Sequence, residues 1–209
     1  FWVERGDIKL TTQVISILNR YLKKKYYEVE VVDRRIFFKL NDKYQINMLW
    51  DRLDEPKKTS QKTVCKEWLV DKYGQIICPP RFGKTLVGAI LSCKSKTRVA
   101  IIIHQKELLD QFYNTFMKFT DIKERQKFLS QQLIKINPKL NEIDKLTICL
   151  FTWQQFINKK RLSTMRDKFG LLLFDESHRT AAGVYSNRIS RFRAKYRCGV
   201  TATPKRRDG

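Results

Sequence analysis

Three observations predict an α/β fold: a parallel sheet flanked by helices, preceded by a small N-terminal α/β appendage. First, apolar runs of strand length near 75–78, 98–103, 146–151, 170–174 and 197–201 each lead into a helix-like segment. That is the alternation of a doubly wound sheet. Second, the run Phe169-Gly170-Leu171-Leu172-Leu173-Phe174 is apolar throughout, as a strand buried on both faces must be. Third, the segments with chemical character follow these runs directly. The carboxyl ends of parallel strands are where such sheets place ligands.

Residues 1–55 read as the appendage. Thr11 to Lys25 is helix-like. Tyr27-Glu28-Val29-Glu30-Val31 and Arg35-Ile36-Phe37-Phe38-Lys39-Leu40 alternate as strands do, with a turn near Asp33. Its aromatic residues, among them Trp2, Tyr26, Phe37 and Trp50, suit a small core first and base stacking second. Asp54-Glu55-Pro56-Lys57-Lys58 has the composition of a linker. Residues 56–209 form the larger domain. Within it, the polar, Lys-rich stretch between Phe112 and Lys145 reads as one or two surface helices, broken at Asn137-Pro138.

The chemistry starts at Cys78-Pro79-Pro80-Arg81-Phe82-Gly83-Lys84-Thr85, between a strand and a helix. Strand, small turn, Gly-Lys-Thr, helix is the context of a phosphate-binding loop. Gly83 lets the backbone approach a phosphate. The helix N-terminus presents amide N–H groups to the anion. Pro80, Arg81, Phe82, Gly83, Lys84 and Thr85 are the candidate nucleotide-binding residues. Lys84 can neutralise β/γ-phosphate charge, and the Thr85 hydroxyl can ligate Mg²⁺. Cys78 stands where the general G-x-x-x-x-G-K-S/T pattern has its first glycine.

Asp175-Glu176-Ser177-His178 follows the fully apolar strand. Asp175 can hold Mg²⁺ through water, and Glu176 can orient or deprotonate an attacking water. By itself the pair would read as a cap for the next helix. With a phosphate loop upstream, the catalytic reading prevails, and Lys84, Asp175 and Glu176 become the candidate catalytic set. Cys198-Gly199-Val200-Thr201-Ala202-Thr203-Pro204 is a further strand ending in small and hydroxyl residues.

Gly-Lys-Thr, Asp-Glu-Ser-His and Thr-Ala-Thr-Pro, in that order, resemble the first RecA-like domain of superfamily 2 helicases and translocases. The resemblance covers about residues 58–209. Ile101 to Leu109 looks like the Ia motif, with a helix starting near Lys106. Leu146 to Gln154 looks like the strand and Thr-Tyr-Gln step that follow, with Trp153 in place of tyrosine. The tail from Tyr196 to Gly209 looks most like the XPB-like and phage repair-helicase branch. Ser177 makes the acidic box of the D-E-x-H type. The resemblance implies ATP and Mg²⁺ as cofactors, and Gln61 as an adenine-reading glutamine, although Lys58-Thr59-Ser60-Gln61 departs from the usual Arg-x-Tyr-Gln. It implies nucleic-acid contacts, mainly to phosphates, at His104, Gln105, Lys106 and Thr152. It implies coupling of nucleotide state to strand movement at His178, Thr201 and Thr203. The plainer alternatives are a satisfied polar core residue for His178 and strand caps for the threonines. The resemblance further implies a second RecA-like domain that supplies arginine fingers. The chain opens on Phe1 and stops where that domain would begin, so a piece of a larger protein is expected. Without fingers worth about 10³–10⁵ in rate, it would hydrolyse nucleotide poorly.

Composition bounds the partners. The formal net charge is +22 over 209 residues, most of it after residue 60. A polyanion is the physical expectation, nucleic acid above all. DNA is ranked ahead of RNA, a choice the charge does not make, since phosphate contacts are common to both. Basic residues cluster at Lys159-Lys160-Arg161, along Arg188, Arg191, Arg193, Lys195 and Arg197, and at Lys205-Arg206-Arg207. No apolar run is long enough to span a membrane and no signal-peptide pattern opens the chain. Five scattered cysteines without a C-x-x-C pair argue against zinc and disulfides, and point to a reducing, intracellular compartment. The expected function is the N-terminal half of an ATP-dependent nucleic-acid helicase or translocase. The rivals are a nucleic-acid-binding scaffold with a vestigial nucleotide site, and a motor attached to a restriction or defence enzyme.

Overall fold

The computed structural model describes residues 2–4, 7–9, 35–71, 73–177 and 188–202. Backbone contacts divide the chain into Phe1–Arg34 and Arg35–Gly209. In the first unit, β1 (Trp2–Glu4) and β2 (Asp7–Lys9) pair antiparallel, with Val3 opposite Ile8. The helix expected over 11–25 and the strand expected over 27–31 lie outside the described residues.

The second unit is built on six strands: β3 (Tyr73–Ile77), β4 (Val99–Ile103), β5 (Ile134–Ile136), β6 (Ile148–Thr152), β7 (Leu171–Asp175) and β8 (Tyr196–Thr201). Their order is β3-β8-β7-β4-β6-β5, and every pairing is parallel. Helices α1 (Glu55–Asp71), α2 (Lys84–Ser95), α3 (Glu107–Phe119), α4 (Ile122–Leu129), α5 (Trp153–Phe156) and α6 (Lys159–Met165) flank the sheet, with 3-10 turns at Asp42–Tyr44, Trp50–Arg52 and Ile143–Lys145.

Alternation along the central strands feeds two cores. Ile101 and Ile103 of β4, with Leu171 and Leu173 of β7, pack on one face beside Val87, Ile90 and Leu91 of α2. Ala100, Ile102, Leu172 and Phe174 pack on the other beside Phe151, Phe156 and Phe169. Successive side chains of a strand point to opposite faces, so a central strand covered on both sides must be apolar at every position. Each large side chain so buried contributes roughly 1.5–3 kcal/mol. On the second face the Phe156 and Phe192 rings stack at 4.3 Å.

Five strands fall where the apolar runs predict them. Three segments differ from expectation. Residues 35–40 make one isolated bridge, Ile36 to Ala194, and no continuous strand. Together with residues 41–54 they are part of the second unit: Ile36 N–H donates to Arg193 O at 2.5 Å, Leu40 N–H to Lys96 O at 3.1 Å, and Ile46, Met48 and Leu53 are buried in the first core. The expected linker at 54–58 instead begins α1. Pro56 falls in its first turn, where a missing N–H costs nothing. The stretch 112–145 holds helices as expected, but also the edge strand β5, in which Ile134 pairs with Ile148. Three residues with a lysine at the centre carry too little periodicity to be read beforehand.

All five cysteines are free and buried. They act as small core residues.

Candidate nucleotide site

The candidate phosphate loop leaves β3 at Cys78, whose N–H donates to Thr201 O at 2.8 Å. Cys78 is buried, and burial pushes its thiol up while Lys84 pulls it down. At this position the chain packs as an extension of the sheet, which a cysteine does as well as a glycine. The turn then closes through Phe82 N–H on Pro79 O at 3.2 Å, with Arg81 at φ 64° and Gly83 at φ 92°. Pro80 and Arg81 are exposed, and Phe82 packs partly against the first core. Gly83 caps α2, whose first residues are the half-buried Lys84 and Thr85.

Gln61 of α1 lies beneath this loop. It is 2 % exposed and its Nε2 donates to Phe82 O at 2.5 Å. Its Oε1 is buried without a hydrogen-bond partner among the described residues. A Cβ on Gly83 would collide with the Gln61 amide, and the left-handed φ disfavours any other residue. Gly83→Ala is expected to destabilise the chain by about 1–3 kcal/mol. Thermal melting checks this, and an unchanged melting temperature would show that the loop yields freely.

The acidic pair comes from the end of β7. Asp175 is 4 % exposed, and burial pushes its carboxyl up to about 6; Lys84 opposes that shift and Glu176 adds to it. Glu176 follows at φ 50°, a left-handed backbone that non-glycine residues rarely adopt. Its carboxylate is the hub of the site. Oε1 forms an ion pair with Lys84 Nζ, and Oε2 accepts from the Thr201 hydroxyl at 3.2 Å. Lys84, Glu176 and Thr201 thus meet in space from three distant parts of the sequence. β8 lies between β3 and β7, so its end sits between the two loops.

Among the described residues no group of three or more His, Cys, Asp or Glu side chains is preformed to hold a metal. Mg²⁺ in nucleotide sites draws most of its ligands from phosphate and water, with one or two from protein. Thr85 and Asp175 fit that smaller requirement. A buried carboxyl with a raised pKa is also one that a cation would stabilise in its charged form.

The other candidates fall on the same sheet edge. Ile103 of β4 is opposite Thr152 of β6, which brings His104, Gln105 and Lys106 beside Thr152. Gln105 and Lys106 are exposed and His104 is half-buried. Thr152 has a structural task as well: its hydroxyl accepts from Gln155 N–H at 3.3 Å and caps α5. Asn137, read in the sequence only as part of a helix break, anchors this strand end by accepting from Thr152 N–H at 3.2 Å. His178, Thr203 and the basic run 205–207 lie outside the described residues.

Some basic residues are internal braces. Arg161 donates to Pro138 O at 2.5 Å and to Gln155 Oε1 at 2.6 Å, and its guanidinium lies over the Phe151 ring. Arg188 donates to Ile157 O at 3.0 Å. Lys160 and Arg191 remain exposed. No described helix is long and apolar enough to cross a membrane.

Comparison with known proteins matches residues 43–206 to the family described as type III restriction enzyme, res subunit. A DNA 3'-5' translocase XPB2 of Sulfurisphaera tokodaii is 27% identical over 197 residues, covering 92% of this chain and 39% of that protein. A DNA 3'-5' helicase XPB of Kineococcus radiotolerans is 29% identical over 143 residues, covering 65% and 24%. The chain therefore spans well under half the length of these curated relatives. Among solved structures, the UvsW helicase from bacteriophage T4 superposes with a TM-score of 0.59 at 17% identity, over 91% of this chain and 70% of that one. The SWI2/SNF2 ATPase core of Sulfolobus solfataricus, solved with double-stranded DNA, gives 0.54 at 17% identity, over 80% and 35%. The parallel sheet with its flanking helices is the RecA-like fold of these helicase structures.

Proposed function

Since the chain belongs to the family of the type III restriction enzyme res subunit, we propose that it is the nucleotide-binding, N-terminal motor domain of an ATP-dependent DNA translocase or helicase. The observation that carries this reading is the meeting of Lys84, Glu176 and Thr201. A phosphate loop, an acidic pair and a hydroxyl strand end meet at one point, which supports an apparatus for phosphoryl transfer to water. Lys84 and the α2 amides hold the triphosphate, and Thr85 and Asp175 are the residues that would hold its Mg²⁺. A metal bound there would supply positive charge to the transferring phosphoryl group. Glu176 gives up its contact with Lys84 when phosphate arrives, and its carboxylate then orients the attacking water. Gln61 reads the adenine, and His178, Thr201 and Thr203 couple hydrolysis to movement.

DNA lies along the edge formed by His104, Gln105, Lys106 and Thr152, through its phosphates. A second RecA-like domain outside this chain closes the cleft. Relatives that are named DNA translocases and helicases support the choice of DNA.

Two measurements test the proposal. In the complete protein, ATP hydrolysis is expected to rise on adding DNA; equal rates with and without DNA would favour a scaffold with a vestigial site. For this chain, DNA affinity is expected to fall steeply with salt, log K against log salt having a slope of about −0.9 per phosphate neutralised. An affinity indifferent to salt would contradict phosphate-led binding.

A further inference from the structure

The turn that carries Glu176 is held by residues with no part in phosphate chemistry. Leaving β7, the chain folds back over the neighbouring strand β8 at Gly199, the residue that pairs with Phe174 on one side and Gln75 on the other. A Cβ built on Gly199 would lie 2.5 Å from Ser177 Cβ and 2.6 Å from Ser177 Oγ. Only a glycine leaves room there. Ser177, seated over this gap, is 8 % exposed, and Gln75 Nε2 donates to its hydroxyl oxygen at 2.5 Å. Gln75 belongs to β3, three residues before Cys78 opens the phosphate loop. The bond therefore reaches across β8 and ties the strand carrying Lys84 to the turn carrying Glu176. Between the anchored Ser177 and the buried Asp175, Glu176 holds its left-handed φ of 50°. Such a backbone persists only where its surroundings over-determine it.

We propose that Gln75, Ser177 and Gly199 form a positioning clamp, in which the Gln75–Ser177 hydrogen bond over the bare backbone of Gly199 sets the placement of the Glu176 carboxylate relative to Lys84. The clamp rests on the reading of Lys84 and Glu176 as the hydrolytic centre. Gln75 is a lone amide in an otherwise apolar stretch, Gln75-Ile76-Ile77-Cys78. Ser177 is the variable residue of the D-E-x-H box. The two are 102 residues apart in the sequence and are joined by a side-chain contact.

The test measures DNA-stimulated ATP hydrolysis by the complete protein for the wild type, Gln75→Leu, Ser177→Ala, the double variant and Ser177→Thr. A nucleophile or base displaced by an ångström costs up to about 10²-fold in rate. Each single change is expected to lower kcat about 10-fold or more, with the KM for ATP within about twofold of wild type. The double variant is expected to lose no more than either single one, because both remove the same bond. Ser177→Thr, which keeps the hydroxyl, is expected to recover most of kcat. Single variants with wild-type kcat, losses that multiply, or a change confined to KM would overturn the clamp. Amide hydrogen exchange at residues 175–177 of this chain gives a second reading that needs no hydrolysis. It is expected to rise about 10-fold in Gln75→Leu, and unchanged exchange there would also overturn the clamp. A wild type that does not hydrolyse ATP would sink the proposed function instead, and the exchange result alone would then decide the clamp.

Discussion

Replacing Lys84 by alanine is expected to lower DNA-stimulated ATP hydrolysis by about 10²–10³-fold, the usual loss when one preorganised group facing developing charge is removed. Lys84 has two roles, and both fail together. In the proposed reading it supplies the positive charge nearest the β/γ-phosphates; in the structure it holds Glu176 by an ion pair. The pair is about three-quarters buried on each side, at 23% and 27% exposure. Removing one partner therefore strands a carboxylate, where an exposed pair would lose little. Arginine is no conservative replacement, since its planar fork cannot mimic a point charge at the head of a helix. Glu176→Gln is expected to separate the roles. The amide keeps an oxygen for the Thr201 hydroxyl but cannot take a proton, so hydrolysis falls while nucleotide affinity is retained. DNA affinity should change little in either variant, because it depends on a net charge of +22 spread over the chain. Steady-state hydrolysis and a salt-controlled binding titration check this. Hydrolysis within a few-fold of wild type in Lys84→Ala would contradict the assigned role.

The second large effect concerns stability. Asp175→Asn is expected to make the nucleotide-free chain more stable above pH 6, while weakening Mg²⁺-dependent nucleotide binding. Burial raises the Asp175 carboxyl to about 6, against an ordinary value of 3.8. Between those values the folded chain keeps a proton that the unfolded chain has released. The stabilisation this gives is complete below pH 3.8 and is lost as pH rises through 6. At pH 7.5 the buried carboxylate is charged, at a cost of roughly 1–3 kcal/mol that an isosteric amide avoids. The melting temperature of Asp175→Asn should exceed wild type by several degrees at pH 7.5, and the gap should close towards pH 4. A variant less stable than wild type at pH 7.5 would show that the ionised carboxylate is already well compensated. The trade is physically reasonable: a charge kept in an unfavourable place is one that a metal ion can relieve.

The sequence was informative wherever a local pattern and a structural task coincide. Five strands were legible because burial on both faces demands unbroken apolar runs, as in Leu171 to Phe174. The strand-end placement of the candidate loop and acidic box was legible because Gly83-Lys84-Thr85 and Asp175-Glu176 concentrate chemistry directly after apolar runs. Residues 35–54 were harder. The alternation over 35–40 resembles an edge strand, yet among these residues the only ladder contacts are single bridges at Ile36 and Met48, with backbone bonds such as Leu40 N–H to Lys96 O completing the packing. Gln75, Ser177 and Gly199 could not be linked beforehand. Their meeting depends on β8, late in the chain, inserting between β3 and β7. A glycine inside a strand was the available signal, since it often marks a close approach of another segment. Asn137 illustrates the same limit. Its φ of 45° and its bond to Thr152 arise at a strand end whose neighbour lies 15 residues away.

The central claim is that one triphosphate with its magnesium is gripped between the loop at Lys84 and the turn at Glu176. A crystal structure of this chain with a non-hydrolysable ATP analogue and Mg²⁺ tests it most directly. The account predicts the γ-phosphate against Lys84 Nζ, the Lys84–Glu176 ion pair parted, and the metal held by Thr85 and, directly or through water, by Asp175. An analogue bound elsewhere, or bound here with that ion pair intact and the metal remote from Asp175, would contradict it.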